Sequence, residues 1–277
     1  MKLWTPALIV RLGCTLAYAD QRFDAHAQEE LLAQIREYSM NYDKQLPNFV
    51  CRQVVHRYYD SRMSPTDSRS IDTITSTLTY IAGHEEYADV RRDGKLVPGA
   101  SLEGAGGAVS RSEFGTLLKG IFRDESHNHI GLSRRTRLRG RWMLVFKYDV
   151  PRENSRYRIT ANKTSEYVAA YHGEVFVDEK EKMVMRIVMA TYGVPRDYPL
   201  KSVETTVDYD FAKIGDQEYL LPVRAEVSSD NRRIIARNVE EFREYRRFGA
   251  QTNLTFGEEA SVPLTYPETK TPAQSPE

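Results

Sequence analysis

His127-Asn128-His129 packs two metal-competent side chains into three positions. On a strand, residues two apart point the same way, so this spacing could aim both imidazoles at one ion. A third donor would have to come from Asp124, Glu125, His84 or His172. Nothing in their spacing builds such a site, so the segment reads as a polar loop and no metal is assigned. A hydrolase needs a nucleophile beside a base and an orienting group. None of the serines sits in G-x-S-x-G. Asp208 and Asp210, two apart on a strand, read as a solvated face rather than an acid–base pair. The glycine-rich stretch 98–109 (PGASLEGAGGAV) holds neither GxxxxGK[ST] nor GxGxxG, so it reads as a connector and not a phosphate loop. The chemistry-bearing residues therefore give no catalytic residue and no cofactor, and the chain is expected not to be an enzyme.

Charge excludes a further class. The 39 basic residues equal the 39 acidic ones, which leaves no excess to attract a phosphate backbone, and no nucleic-acid partner is expected. The run Arg232, Arg233, Arg237, Arg243, Arg246, Arg247 could touch anionic head groups as a peripheral envelope contact. Asp230, Glu240, Glu241 and Glu244 interleave with it, so cross-strand ion pairing is the better reading.

The N-terminus reads as a secretory signal over 1–19, with Lys2, an apolar run over 3–10 and Ala17-Tyr18-Ala19 as a small-x-small cleavage site. Arg11 interrupts the apolar run, and it also stands three places before Cys14, which a lipid-anchored cysteine does not favour. Cleavage leaves Cys51 alone, without an internal disulfide, in an apolar context that suits a buried thiol. The expected location is periplasmic or secreted.

Two helices and many strands must position whatever these residues do. Leu31, Ile35, Tyr38 and Tyr42 share one face of a helix over 24–46, ended by Pro47. Ser110 and Glu113 form a capping box ahead of a helix over 112–123, whose apolar face is Phe114, Leu117, Leu118, Ile121 and Phe122. Strands are expected over 48–59, 70–82 and 84–91, with 60–69 (DSRMSPTDSR) as a loop, then over 133–139, 141–150 and near 156–161. A five-strand meander follows over 166–177, 183–192, 203–213, 218–228 and 233–246. Its clearest member puts Val203, Thr205, Val207, Tyr209 and Phe211 on one side and Glu204, Thr206, Asp208 and Asp210 on the other. Met183, Met185, Ile187 and Met189 share one face of another, and Val184, Val188, Ala190 and Tyr192 make its second face nearly as apolar. Such a strand needs cover on both sides. The expectation is an α+β fold. One domain over 20–256 carries a single curled antiparallel sheet of about eleven strands under two covering helices, and a disordered tail follows over 257–277.

Residues 171–178 (YHGEVFVD), followed by Met185-Arg186-Ile187, resemble a hairpin of the outer-membrane lipoprotein carriers. Arg139-Gly140-Arg141 before 142–150, and Val207-Asp208-Tyr209 with Tyr219-Leu220-Leu221-Pro222, resemble the same superfamily. More closely, the chain resembles secreted bacterial proteins described only as related to lipoprotein-sorting proteins. The resemblance implies an unclosed β-barrel with a helical lid over an apolar cavity that accepts acyl chains. No residue matches a lid-latching arginine. On this footing the cavity walls would be Phe114, Leu117, Leu118, Ile121 and Phe122 on one side and Met183, Met185, Ile187 and Met189 on the other. The partner would be a lipid or an acylated protein. The alternative is a structural or protein-interaction module of the envelope with a solid core and no ligand.

Overall fold

The computed structural model describes residues 25–61, 64–102, 115–123, 128–161 and 165–249. The signal sequence, Cys14, the capping box, Phe114, Asp124, Glu125, His127, most of the glycine-rich connector and the tail lie outside these residues. Helix α1 (Ala25–Gln45) comes first, followed by β1 (Phe49–Ser61), β2 (Ser64–Ile81), β3 (His84–Arg92) and β4 (Lys95–Leu96). After the connector come α2 (Thr116–Phe122), β5 (His129–Leu138) and β6 (Arg141–Val150). Then follow β7 (Arg158–Ala161), β8 (Ser165–Val168), β9 (Ala170–Asp178), β10 (Val184–Tyr192), β11 (Ser202–Ile214), β12 (Gln217–Asp230) and β13 (Ile234–Arg247).

Eleven of these strands form one antiparallel sheet in the order β4-β3-β2-β1-β13-β12-β11-β10-β9-β6-β5. The meander β9 to β13 is continuous, and β13 then pairs with β1, so the chain's first and last strands meet mid-sheet. The segment containing α2 carries the chain from one edge to the other. The sheet ends at β4 and β5 and is therefore an unclosed barrel. It also bends strongly. In a flat sheet the β5–β6 turn would stand roughly 14 Å from β11, three strand spacings away. Arg139 in that turn instead donates to Tyr209 O of β11 at 2.6 Å and to Met185 O of β10 at 3.3 Å.

The sequence expectation needs correcting in places. Residues 64–69 are strand, not loop, so β1 and β2 form a longer hairpin. His129 opens β5 rather than lying in a polar loop. The strand expected over 166–177 breaks at Ala169 into β8 and β9, and β8 pairs with β7 as a separate two-stranded sheet. The sheet keeps eleven strands because the two-residue β4 takes the place expected for 156–161. Phe211 leaves the inner face of β11, standing exposed beneath the Arg141 guanidinium at 5.5 Å.

No helix among the described residues is long and apolar enough to cross a membrane. The arginine run at the C-terminal end is ion-paired in part: Arg237 meets Asp60 of β1 at 2.9 Å, and Arg243 pairs with Glu241.

Candidate functional site: the inner face of the sheet

Both helices lie on one face of the sheet. Tyr42 of α1 donates its hydroxyl to Leu220 O of β12 at 2.8 Å and stands edge-on to Tyr209 of β11. Gly120 of α2 faces the Tyr171 hydroxyl of β9 so closely that a Cβ there would sit 2.8 Å from it. Helix α2 starts at Gly115, whose φ of 107° lies in the left-handed region that favours glycine and keeps the backbone close to the Tyr42 ring.

Side-chain ties hold α2 in place. Lys119 pairs with Asp43 of α1, and Arg36 Nε donates to Phe122 O at 3.1 Å. Asn128 Nδ2 donates to Ile121 O at 2.8 Å, satisfying a carbonyl left open at the helix end. Asn128, the middle residue of the His-Asn-His triplet, thus serves as a cap. His84 opens β3, and His172 lies against the Tyr192 ring, at 5.3 Å between centroids. Among the described residues no cluster of three His, Cys, Asp or Glu side chains could hold a metal ion.

Seven of the residues proposed as cavity walls come together. Leu117, Leu118, Ile121 and Phe122 of α2 belong to the same buried cluster as Met185, Ile187 and Met189 of β10. Met183 precedes β10 and packs half-buried at the cluster's margin, and Phe114 lies outside the described residues. The alternation is broken by a bulge: Val177 of β9 pairs with Val184 while Phe176 pairs with Arg186, so Met185 is an extra residue. Val184 and Met185 are both buried as a result.

The wall continues across the sheet. The register runs Ala225, Val207, Ile187, Val175, Phe146 from β12 to β6, every one buried. One row away, Gly173 leaves a gap that the Tyr148 side chain crosses, donating to Val188 O at 2.9 Å. A Cβ on Gly173 would run into that same carbonyl. This bridging explains the glycine in 171–178, and the sequence signal for it was an aromatic on the neighbouring strand.

A hollow large enough for water would leave accessible area on the side chains around it. Ile121 and Ile187 have none, and Leu118, Phe122, Met185 and Met189 have 2% or less. Around these residues the trough is filled by the protein's own helices. Burial also fixes the polar tips. It raises the Tyr148 and Tyr42 hydroxyls well above their ordinary range, and lifts Tyr171 to about 12, opposed by the charge of Arg123. Around α2 and Tyr209 the inner face thus presents neutral hydroxyls and hydrocarbon.

No protein-family model and no curated protein matches the chain. Three solved structures are similar to it over most of its length. One is a lipoprotein-sorting protein domain from Vibrio parahaemolyticus, 11% identical, covering 83% of this chain and 96% of its own at a TM-score of 0.42. Another is a LolA superfamily protein from Nitrosomonas europaea, 13% identical, covering 79% and 94% at a TM-score of 0.34. The third is a DUF1329 family protein from Desulfovibrio piger, 10% identical, covering 80% and 92% at a TM-score of 0.36.

Proposed function

We infer that the protein is an exported, non-enzymatic binding protein or carrier for lipid or lipoprotein acyl chains in the cell envelope, held here in a plugged state. One observation carries the reading. A long apolar inner face is covered by a helix of only 7 residues, fastened by a handful of polar ties. The energies are compatible with exchange. Four buried side chains of α2 contribute about 6–12 kcal/mol at ~1.5–3 kcal/mol each, as an upper limit. An acyl chain contributes ~0.8 kcal/mol per buried CH₂, so roughly eight to fifteen methylenes offset the displaced helix. Methionines at 185 and 189 suit such an exchange, because an unbranched thioether repacks around different shapes.

A second reading is favoured by the near-zero exposure of the same side chains: an envelope scaffold with a solid core. Native mass spectrometry after incubation with a bacterial lipid extract separates the two. The carrier reading expects a bound lipid at one per chain, whereas a bare protein at every lipid concentration supports the scaffold.

A further inference from the structure

On β1, β2 and β13 a polar band interrupts the apolar inner face. From β2 to β10 a single register row runs Asp72, Arg57, Asn238, Val227, Thr205, Met189. One row deeper stands Glu240, and beyond it Gln53 donates from Nε2 to Glu240 Oε2 at 2.9 Å. These groups are withdrawn from solvent: Arg57 is 7% exposed, Asn238 4%, Gln53 2% and Glu240 1%. Burying charge and amide in a sheet core costs more than burying hydrocarbon, so a plain core has no use for the band. One row towards the rim the face opens at β1, with Tyr59 43% exposed opposite half-buried Ala236, while Val203 of β11 in the same row stays 6% exposed. The Arg57 end of the polar band therefore lies just inside an opening, and the Thr205 end lies deeper.

Thr205 stands where the polar band meets the methionines of β10. It is 5% exposed, and its hydroxyl has no hydrogen-bond partner among the described residues. Valine would fill the same space without a stranded hydroxyl, so the threonine costs the free protein stability.

We propose that this band receives the polar head of an amphiphile whose tail lies along Met189 and Ile187, and that the Thr205 hydroxyl hydrogen-bonds the head group. The inference rests on the acyl-binding reading above and gives it a ligand class. Arg57 is already matched by Asp72 through two bonds of 2.6 Å, and Glu240 and Gln53 add carboxyl and amide groups rather than a cation. The fitting head is neutral or zwitterionic, not a free carboxylate.

The test uses the full chain, a pyrene-labelled alkane with no head group, and two competitors, lysophosphatidylethanolamine and palmitate. The wild type is expected to bind lysophosphatidylethanolamine several-fold tighter than palmitate. Thr205→Val is expected to bind it roughly five-fold more weakly, the loss of one neutral hydrogen bond, with alkane affinity unchanged. Ligand-free Thr205→Val melts higher than wild type, and Thr205→Ser keeps the wild-type affinity. Equal affinities of Thr205→Val and wild type overturn the inference while the carrier reading stands. So does a preference for palmitate, and so does a lower melting temperature for Thr205→Val, which would mean the hydroxyl already has a partner within the protein. If the alkane itself does not bind, the acyl-binding reading falls first and this inference with it.

Discussion

Gly173 is the residue whose side chain, or lack of one, most constrains the sheet. The carbonyl of Val188 and the Tyr148 hydroxyl occupy the space where a Cβ would be. Gly173→Ala should lower stability by about 3 kcal/mol or more through overpacking against backbone, read as a shift in the urea midpoint. An unchanged midpoint would mean the two strands separate there without cost. Cys51 is a second residue-scale case. Burial first, then the nearby charge of Glu85, hold its thiol well above the ordinary range. It should resist a disulfide reagent in the native protein and react at once in denaturant, so labelling in native buffer would contradict its placement. His56 sets a pH dependence. Burial, then the Arg243 guanidinium, lower its pKa, so the unfolded chain takes up a proton first. Its contribution is fully present above the ordinary histidine value near ~6.5 and is lost as pH falls through the lowered native value. Wild type should lose stability between pH 7 and 5, and His56→Gln should lose less. Equal losses would remove His56 from the account.

At the scale of elements, α2 is the part on which the proposed function turns. Its ion pair with Asp43 is partly exposed, so Lys119→Ala should change stability by no more than about 1 kcal/mol. It should nonetheless speed uptake of a fluorescent lysolipid in stopped flow, because the helix lifts more often. An unaltered rate would show that this tie does not hold the helix down. What the sequence could say about elements followed from one-sided burial. The period-2 pattern over 203–209 marked β11 because its odd residues face the core, although Asp208 on the other side is not the solvated carboxylate expected: it is 6% exposed and held by Arg186 at 2.7 Å. Residues 64–69 escaped for the opposite reason: SPTDSR has no apolar side, and its strand conformation comes from pairing with β1 and not from its own pattern. The Met185 bulge was equally hidden, since an extra residue shifts register without changing composition. Gln53 and Arg57 left no signal of their own, because they share the odd-numbered face of β1 with Cys51 and Val55 and only pairing with β13 shows that this face is buried.

At the scale of the whole molecule, the sheet is a bent ribbon with two free edges and two helices inside it. Its inner surface is hydrocarbon on β6, β9 and β10, whereas on β1, β2 and β13 a polar band interrupts the apolar residues. That division follows from topology: β1 and β2 come from one end of the chain, and β13 from the other. The central claim is that α2 occupies the place of an acyl chain and yields it. Hydrogen exchange across Thr116–Phe122, with and without saturating lysophosphatidylethanolamine, tests this most directly. The account predicts that the α2 amides lose protection when the lipid binds while those of β9 and β10 keep theirs. Lipid bound with α2 equally or better protected would contradict it.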